Sequence, residues 1–146
     1  MKGMRKLLPI IFVLGVAYFV LDRTGPVPGF QSQATAPDSV IAEAFANRRS
    51  NFLVEGQGEV IRVLSDDVDG DRHQRFILRL DSGQTLLIAH NIDLAARLPQ
   101  LGEGDFVEFY GEYEWNDQGG VIHWTHRDPQ GNHPAGWLRY RGATYQ

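Results

Sequence analysis

The chain has 146 residues, a formal net charge of −4 and no cysteine, so disulfides, thiolate chemistry and cysteine zinc sites are excluded and stability must come from a packed core. The acid excess is concentrated in the second part: from Asn51 onward eight basic residues face fifteen acidic ones, a balance of −7. Binding phosphate backbones by charge needs the opposite sign, so nonspecific nucleic acid is disfavoured as a partner.

At the start, Lys2, Arg5 and Lys6 precede the apolar run Leu7 to Leu21, and Asp22 and Arg23 restore polarity. The run is shorter than the ~20 apolar residues of a full membrane span and suits either a signal-peptide core or a short anchor. Small residues of the A-x-A kind are missing just beyond it, where LDRTGPVPGF follows, which favours an uncleaved signal anchor over residues 1–23. The basic residues stay inside, so the expected location is anchored in the inner membrane with the domain in the periplasm or otherwise outside the cytoplasm. Cleavage would instead release a secreted soluble form.

Residues 24–37, rich in Pro, Gly, Ser, Thr and Gln, read as a flexible linker. Residues 38–50 predict a short amphipathic helix, with Asp38 or Ser39 as cap and Val40, Ile41, Ala44 and Phe45 on one stripe. From residue 51 the period becomes that of strands, and residues 51–146 are expected to form one β-barrel domain with a C-terminal closing loop. The first strand, FLVEGQGEVIRVL, has Gly56 and Gly58 where a strand would bulge or bend. HQRFILRL and QTLLIAH flank the tight turn Asp81-Ser82-Gly83 and predict a hairpin. NIDLAARLP predicts a short helix between strands three and four, with Asn91 or Asp93 as cap and Pro99 as stop.

GDFVEFYGEYEW then puts Val107, Phe109, Tyr113 and Trp115 on one face and Glu108, Tyr110, Glu112 and Glu114 on the other. NDQGG turns the chain into the last strand, VIHWTH, where Ile122 and Trp124 are expected to fill the interior. Three strands, a short helix and two strands is the order of an OB-like five-stranded Greek-key barrel; another small barrel or a two-sheet sandwich is the alternative. The expected class is therefore all-β.

The strings SDDVDGDRHQRFILRL, GQTLLIAHNIDLAARLP, GDFVEFYGEYEWNDQGGVIHWTHRDP and HPAGWLRYRGATY resemble the bacterial family catalogued as domain of unknown function 3465. The resemblance implies a small exported or membrane-tethered bacterial protein. It carries no catalytic or ligand-binding role to any residue.

All five histidines lie at or after His73. In an OB barrel the start of strand two and the ends of strands three and five meet at one rim, which brings together His73, His90 and His126, with Asn91, Asp93 and Asp128 close in sequence. One reading is a divalent metal held by His73, His90, His126 and Asp128, since imidazole and carboxylate suit zinc, nickel or manganese and could activate water against an ester or phosphodiester. His123 and His126 point to opposite faces of a strand unless the strand ends between them.

The preferred reading is a binding or accessory module of the bacterial envelope. Its rim would take a small polar or glycan-like ligand through His90, Asn91 and His126, with Trp137, Trp124 and Tyr110 as flat surface. A third reading is a structural interaction domain that meets another envelope protein through Glu108, Tyr110, Glu112 and Glu114. For each histidine alone, a hydrogen bond to a backbone carbonyl is as good a role, and His133, before Pro134, fits that best. Counted from Asp67, DVDGD leads to Arg72 where a calcium loop needs glycine and to Leu78 where it needs glutamate, GQGEV lacks the lysine of a phosphate loop, and Ser65 and Ser82 sit in turns without a nucleophile elbow.

Overall fold

The computed structural model describes residues 36–146. The anchor and nearly all of the linker expected over residues 1–37 lie outside the described residues. No helix among the described residues is long and apolar enough to cross a membrane.

Among the described residues one helix, α1 (Ala36–Ala46), precedes seven strands: β1 (Phe52–Val63), β2 (His73–Arg79), β3 (Thr85–Asn91), β4 (Phe106–Glu114), β5 (Val121–His123), β6 (Trp137–Tyr140) and β7 (Ala143–Tyr145). The first five close into a barrel. β1, β2 and β3 form an antiparallel meander, β5 runs parallel beside β3, and β4 lies antiparallel between β5 and β1.

Closure depends on β1, which pairs with β4 from Phe52 to Glu59 and with β2 from Glu59 to Val63. Changing partners along one strand demands strong coiling, and the two glycines permit it by close approach. A Cβ on Gly56 would stand 2.7 Å from the Phe109 ring, and one on Gly58 would stand 2.8 Å from the Arg79 carbonyl oxygen. The bulge is not at these glycines but between Val60 and Arg62, where the β1–β2 register slips.

Period-two alternation fills the interior with Val60, Phe76, Leu78, Leu86, Ile88, Val107, Phe109, Tyr113 and Ile122, all fully buried. The same alternation carries Gln74 and His90 inward. At the end made by the β2–β3 and β4–β5 turns, α1 packs Ile41 and Ala44 into the core. The helix starts earlier than the predicted residue 38, so Asp38 is not its cap: buried in the first turn, it accepts the Ser82 backbone N–H at 3.1 Å. Val40, expected on the packed stripe, is exposed, while Trp115 is half-buried against the core, stacking on Phe45 and donating its indole N–H to the Phe45 carbonyl.

Two expectations for the second half are corrected. The β3–β4 connection has no helix beyond a single turn closed by the Ala95 N–H to Asn91 carbonyl bond, because the connection must run across the barrel end and insert Leu98 there. The C-terminal segment is not only a closing loop: β6 pairs with β4 and β7 with β6, and Leu138 and Tyr140 join the core by alternation.

The β4–β5 turn sets a test of this packing. Gly120 has φ 107°, and a Cβ there would run into the Tyr113 ring, whereas Gly131, at φ 71°, faces open space. Gly131→Ala is expected to cost about 1–2 kcal/mol from the left-handed backbone alone. Gly120→Ala should cost roughly 3 kcal/mol or more, because overpacking adds to strain. Urea denaturation of both variants measures the difference.

Candidate functional site

The end of the barrel opposite α1 holds most of the histidines. His90 is fully buried there, and both ring nitrogens are engaged: Nε2 donates to the Ala96 carbonyl at 3.1 Å, leaving Nδ1 to accept from the Thr125 hydroxyl at 2.8 Å. Gln74 pairs beside it with the Leu98 backbone, through Nε2 to the carbonyl and Oε1 from the N–H. These two inward polar groups satisfy the backbone of the connection that covers the barrel end, which is what buried polar groups require. Burial pushes the His90 pKa down to about 4, against a smaller opposing effect of the Ala96 carbonyl and with help from nearby His126 and His73.

Asn91 caps the same connection, its Oδ1 accepting the Asp93 and Leu94 N–H groups. Arg72 ties the β1–β2 loop to it by an ion pair with Asp93 at 2.7 Å. Asp128 organises the loop after β5, its carboxylate accepting the backbone N–H groups of Gln130, Asn132 and His133. Those bonds, the one from Gln130 foremost, hold its pKa below the usual value. His126 is buried and donates Nδ1 to the Arg127 carbonyl. His73 donates Nδ1 to the Asp71 carbonyl at the outer edge of β2. Trp137 lies outside the barrel on β6, stacked on Tyr110 with the Arg139 guanidinium 4.1 Å over its ring.

The candidate residues thus share one end of the barrel without aiming at one point. Asp128 spends its carboxylate on backbone, His90 and Asn91 divide their polar atoms between backbone and the Thr125 and Asp71 side chains, and Trp137 belongs to another face.

A different group does converge, on the outside of β4 and β5. Strand β5 ends at His123, and Trp124, at φ 53°, breaks the alternation, so its ring leaves the barrel and stacks on His133 at 4.0 Å. The strand therefore ends between His123 and His126. His123 pairs opposite Glu112, and the next outward residue of β4 is Glu114. Its Nε2 lies 3.2 Å from Glu114 Oε2 and 3.7 Å from Glu112 Oε1. That nitrogen is buried and makes no hydrogen bond.

His133 donates Nδ1 to the Pro134 carbonyl and Nε2 to Glu112 Oε2, both at 2.8 Å, so both nitrogens carry protons and the ring is a cation. Burial, the largest single influence, opposes that charge, but Glu112, the Pro134 carbonyl and Asp128 together outweigh it and the pKa is raised.

A shallow cleft of about 290 Å³ opens beside this group, lined by Asp67, His73, Arg75, Ala89, Glu114, Val121 and His123. Register explains it: Arg75 pairs with Ala89, and the small Ala89 leaves room between larger neighbours on β2 and β5. Two signals for this site were in the sequence: the outward spacing of Glu112 and Glu114, and the short NDQGG turn that sets His123 opposite Glu112.

A family model matches residues 27–146, and its description is Protein of unknown function (DUF3465). The chain belongs to this family. No curated protein matches it. The family resemblance expected from its strings is thereby confirmed, and the membership assigns no activity to the cleft or to the histidines.

The burial of neutral His90 makes stability depend on acid. Its folded pKa is below the unfolded value, so between pH 6.5 and about 4 the unfolded chain binds more protons and stability falls as pH falls. The loss should reach about 3 kcal/mol. His90→Ala is less stable at neutral pH, and its gap from the parent chain should narrow by that amount on acidification, as read by denaturation at both pH values.

Proposed function

We propose that this protein is an OB-like binding module of the bacterial envelope, tethered outside the cytoplasm by its N-terminal segment, which takes a small polar or glycan-like ligand in the cleft across β2, β3, β5 and β4. The OB-like reading is supported by the pairing order, a three-strand meander with β5 parallel to β3 and β4 closing onto β1. The envelope reading is supported by the basic-then-apolar start of the chain.

One observation carries the choice of site. The barrel interior is filled by Phe76, Phe109 and Tyr113, while a shallow concavity that mixes apolar surface with charged groups of both signs lies outside it. Arg75 is fixed there by two hydrogen bonds from its guanidinium to the Ser65 carbonyl, so the cleft presents an oriented cation beside His73 and His123. Such preorganisation lowers the ordering cost of binding. The competing hydrolase reading, with a metal on His73, His90, His126 and Asp128, has less support because His90 and Asp128 already serve backbone groups. The docking face of Glu108, Tyr110, Glu112 and Glu114 has less support too, since His133 holds Glu112 and Trp137 covers Tyr110.

Titrating the isotope-labelled full chain with a panel of small neutral and acidic saccharides, followed by amide chemical shifts, tests the site. Saturable shifts at Ala89, Val121 and His123 are expected, and Arg75→Ala should weaken them about tenfold, the loss of a hydrogen bond to a charged group. Shifts confined to the Trp137 face, or none with any member of the panel, would refute this ligand class in the cleft. Protease added to intact spheroplasts should digest the domain; protection until lysis would refute the envelope location.

A further inference from the structure

We propose that Glu112, Glu114 and His123 form a binding site for a divalent first-row transition metal, zinc being the best fit, on the outer face of β4 and β5. This site is separate from the histidine set predicted from sequence, and it stands whether or not the cleft takes a saccharide.

The geometry suits the ion. One ligand atom from each of the three side chains lies within 4.8 Å of the others. Donors about 2.1 Å from a tetrahedral ion stand roughly 3.4 Å apart. The His123 Nε2 distances of 3.2 and 3.7 Å to the two carboxylates bracket that value. A small turn of either carboxylate about its own side chain brings the third edge in.

The chemistry agrees. His123 Nε2 is shut off from water and has no hydrogen-bond partner, although two carboxylates are beside it. At 3.2 and 3.7 Å from the two carboxylates but bonded to neither, this nitrogen is placed as a third donor atom beside them. A cation placed among the three atoms satisfies all of them at once. One imidazole with two carboxylates is a borderline-to-hard donor set, suited to zinc or manganese and poorer for calcium, which takes six to eight oxygens.

The surroundings are those of a supported ligand. Glu112 keeps Oε1 toward His123 while Oε2 is held by the His133 cation, and the His133 ring is clamped by Trp124 and by the Pro134 carbonyl. Hydrogen bonds of this kind orient metal ligands and tune their affinity. Glu114 and His123 also line the cleft, so the remaining coordination positions face it and are open to water or to a donor group of a bound molecule.

The test uses the untagged full chain, stripped with chelator and dialysed against zinc, with cobalt as a spectroscopic substitute. The expected result is one zinc per chain and cobalt absorption in the range of a four-coordinate site. His123→Gln and Glu114→Gln should each weaken binding at least about tenfold, and His133→Phe about tenfold through Glu112. His73→Ala and His126→Ala should bind as the parent does. Both principal positions are partly exposed, so the metal-free variants should melt as the metal-free parent does, which separates a lost ligand from a lost fold. No retained zinc, zinc retained equally by His123→Gln, or loss on His73→Ala or His126→Ala would each overturn the site. Saccharide shifts that persist without zinc would leave the cleft reading intact while the metal site falls.

Discussion

The closure of the barrel on β1 is the constraint from which the rest follows. One strand must pair with β2 on one edge and with β4 on the other, and the only way to do both is to coil it tightly. Side chains at Gly56 and Gly58 would block that coil, one against Phe109 and the other against the Arg79 carbonyl. With the barrel closed, five strands enclose too little space for anything but side chains, and aromatic residues occupy it. The packed interior leaves no room for a ligand.

A barrel closed around its wall still has two open ends, and each is sealed by different physics. At one end α1 supplies apolar Ile41 and Ala44, with Asp38 and the Phe45 carbonyl stitching the helix to the turns beneath it. At the other a connection without regular structure lies across the opening, so its backbone polar groups need partners from below. His90 and Gln74 provide them from inward positions on β3 and β2. A buried imidazole that donates to one carbonyl and accepts from one hydroxyl has no nitrogen left for a metal or a substrate. Its low pKa is the electrostatic record of the same structural duty.

The fold was largely legible because it rests on period-two alternation. Phe76, Leu78 and Leu80 against Arg75 and Arg79, and Val107, Phe109 and Tyr113 against Glu108 and Glu112, read the same in the sequence and in space. Reading failed where one backbone angle interrupts the pattern. Continuing β5 one step too far puts Trp124 in the interior, and a positive φ turns it out instead. A reading that takes VIHWTH as the last strand misses WLRY, because its glycine- and proline-rich approach hides a four-residue strand. The site was harder still, since the histidines nearest in topology are not those nearest in chemistry. Convergence of Glu112, Glu114 and His123 depends on cross-strand register, which only a turn length encodes.

The charge of the domain makes that convergence a problem of its own. A chain with excess acid that sets two glutamates on adjacent outward positions of β4 would ordinarily leave them solvated and apart. Here the loop after β5 brings a protonated His133 onto one of them, and Asp128 ties that loop by three backbone bonds so that the imidazolium stays where it is. The cation neutralises one oxygen of Glu112 and cannot reach the other, because it is fixed by Trp124 and Pro134. The second oxygen, the Glu114 carboxylate and the buried His123 nitrogen, which makes no hydrogen bond, are then left facing one another on the outside of β4 and β5.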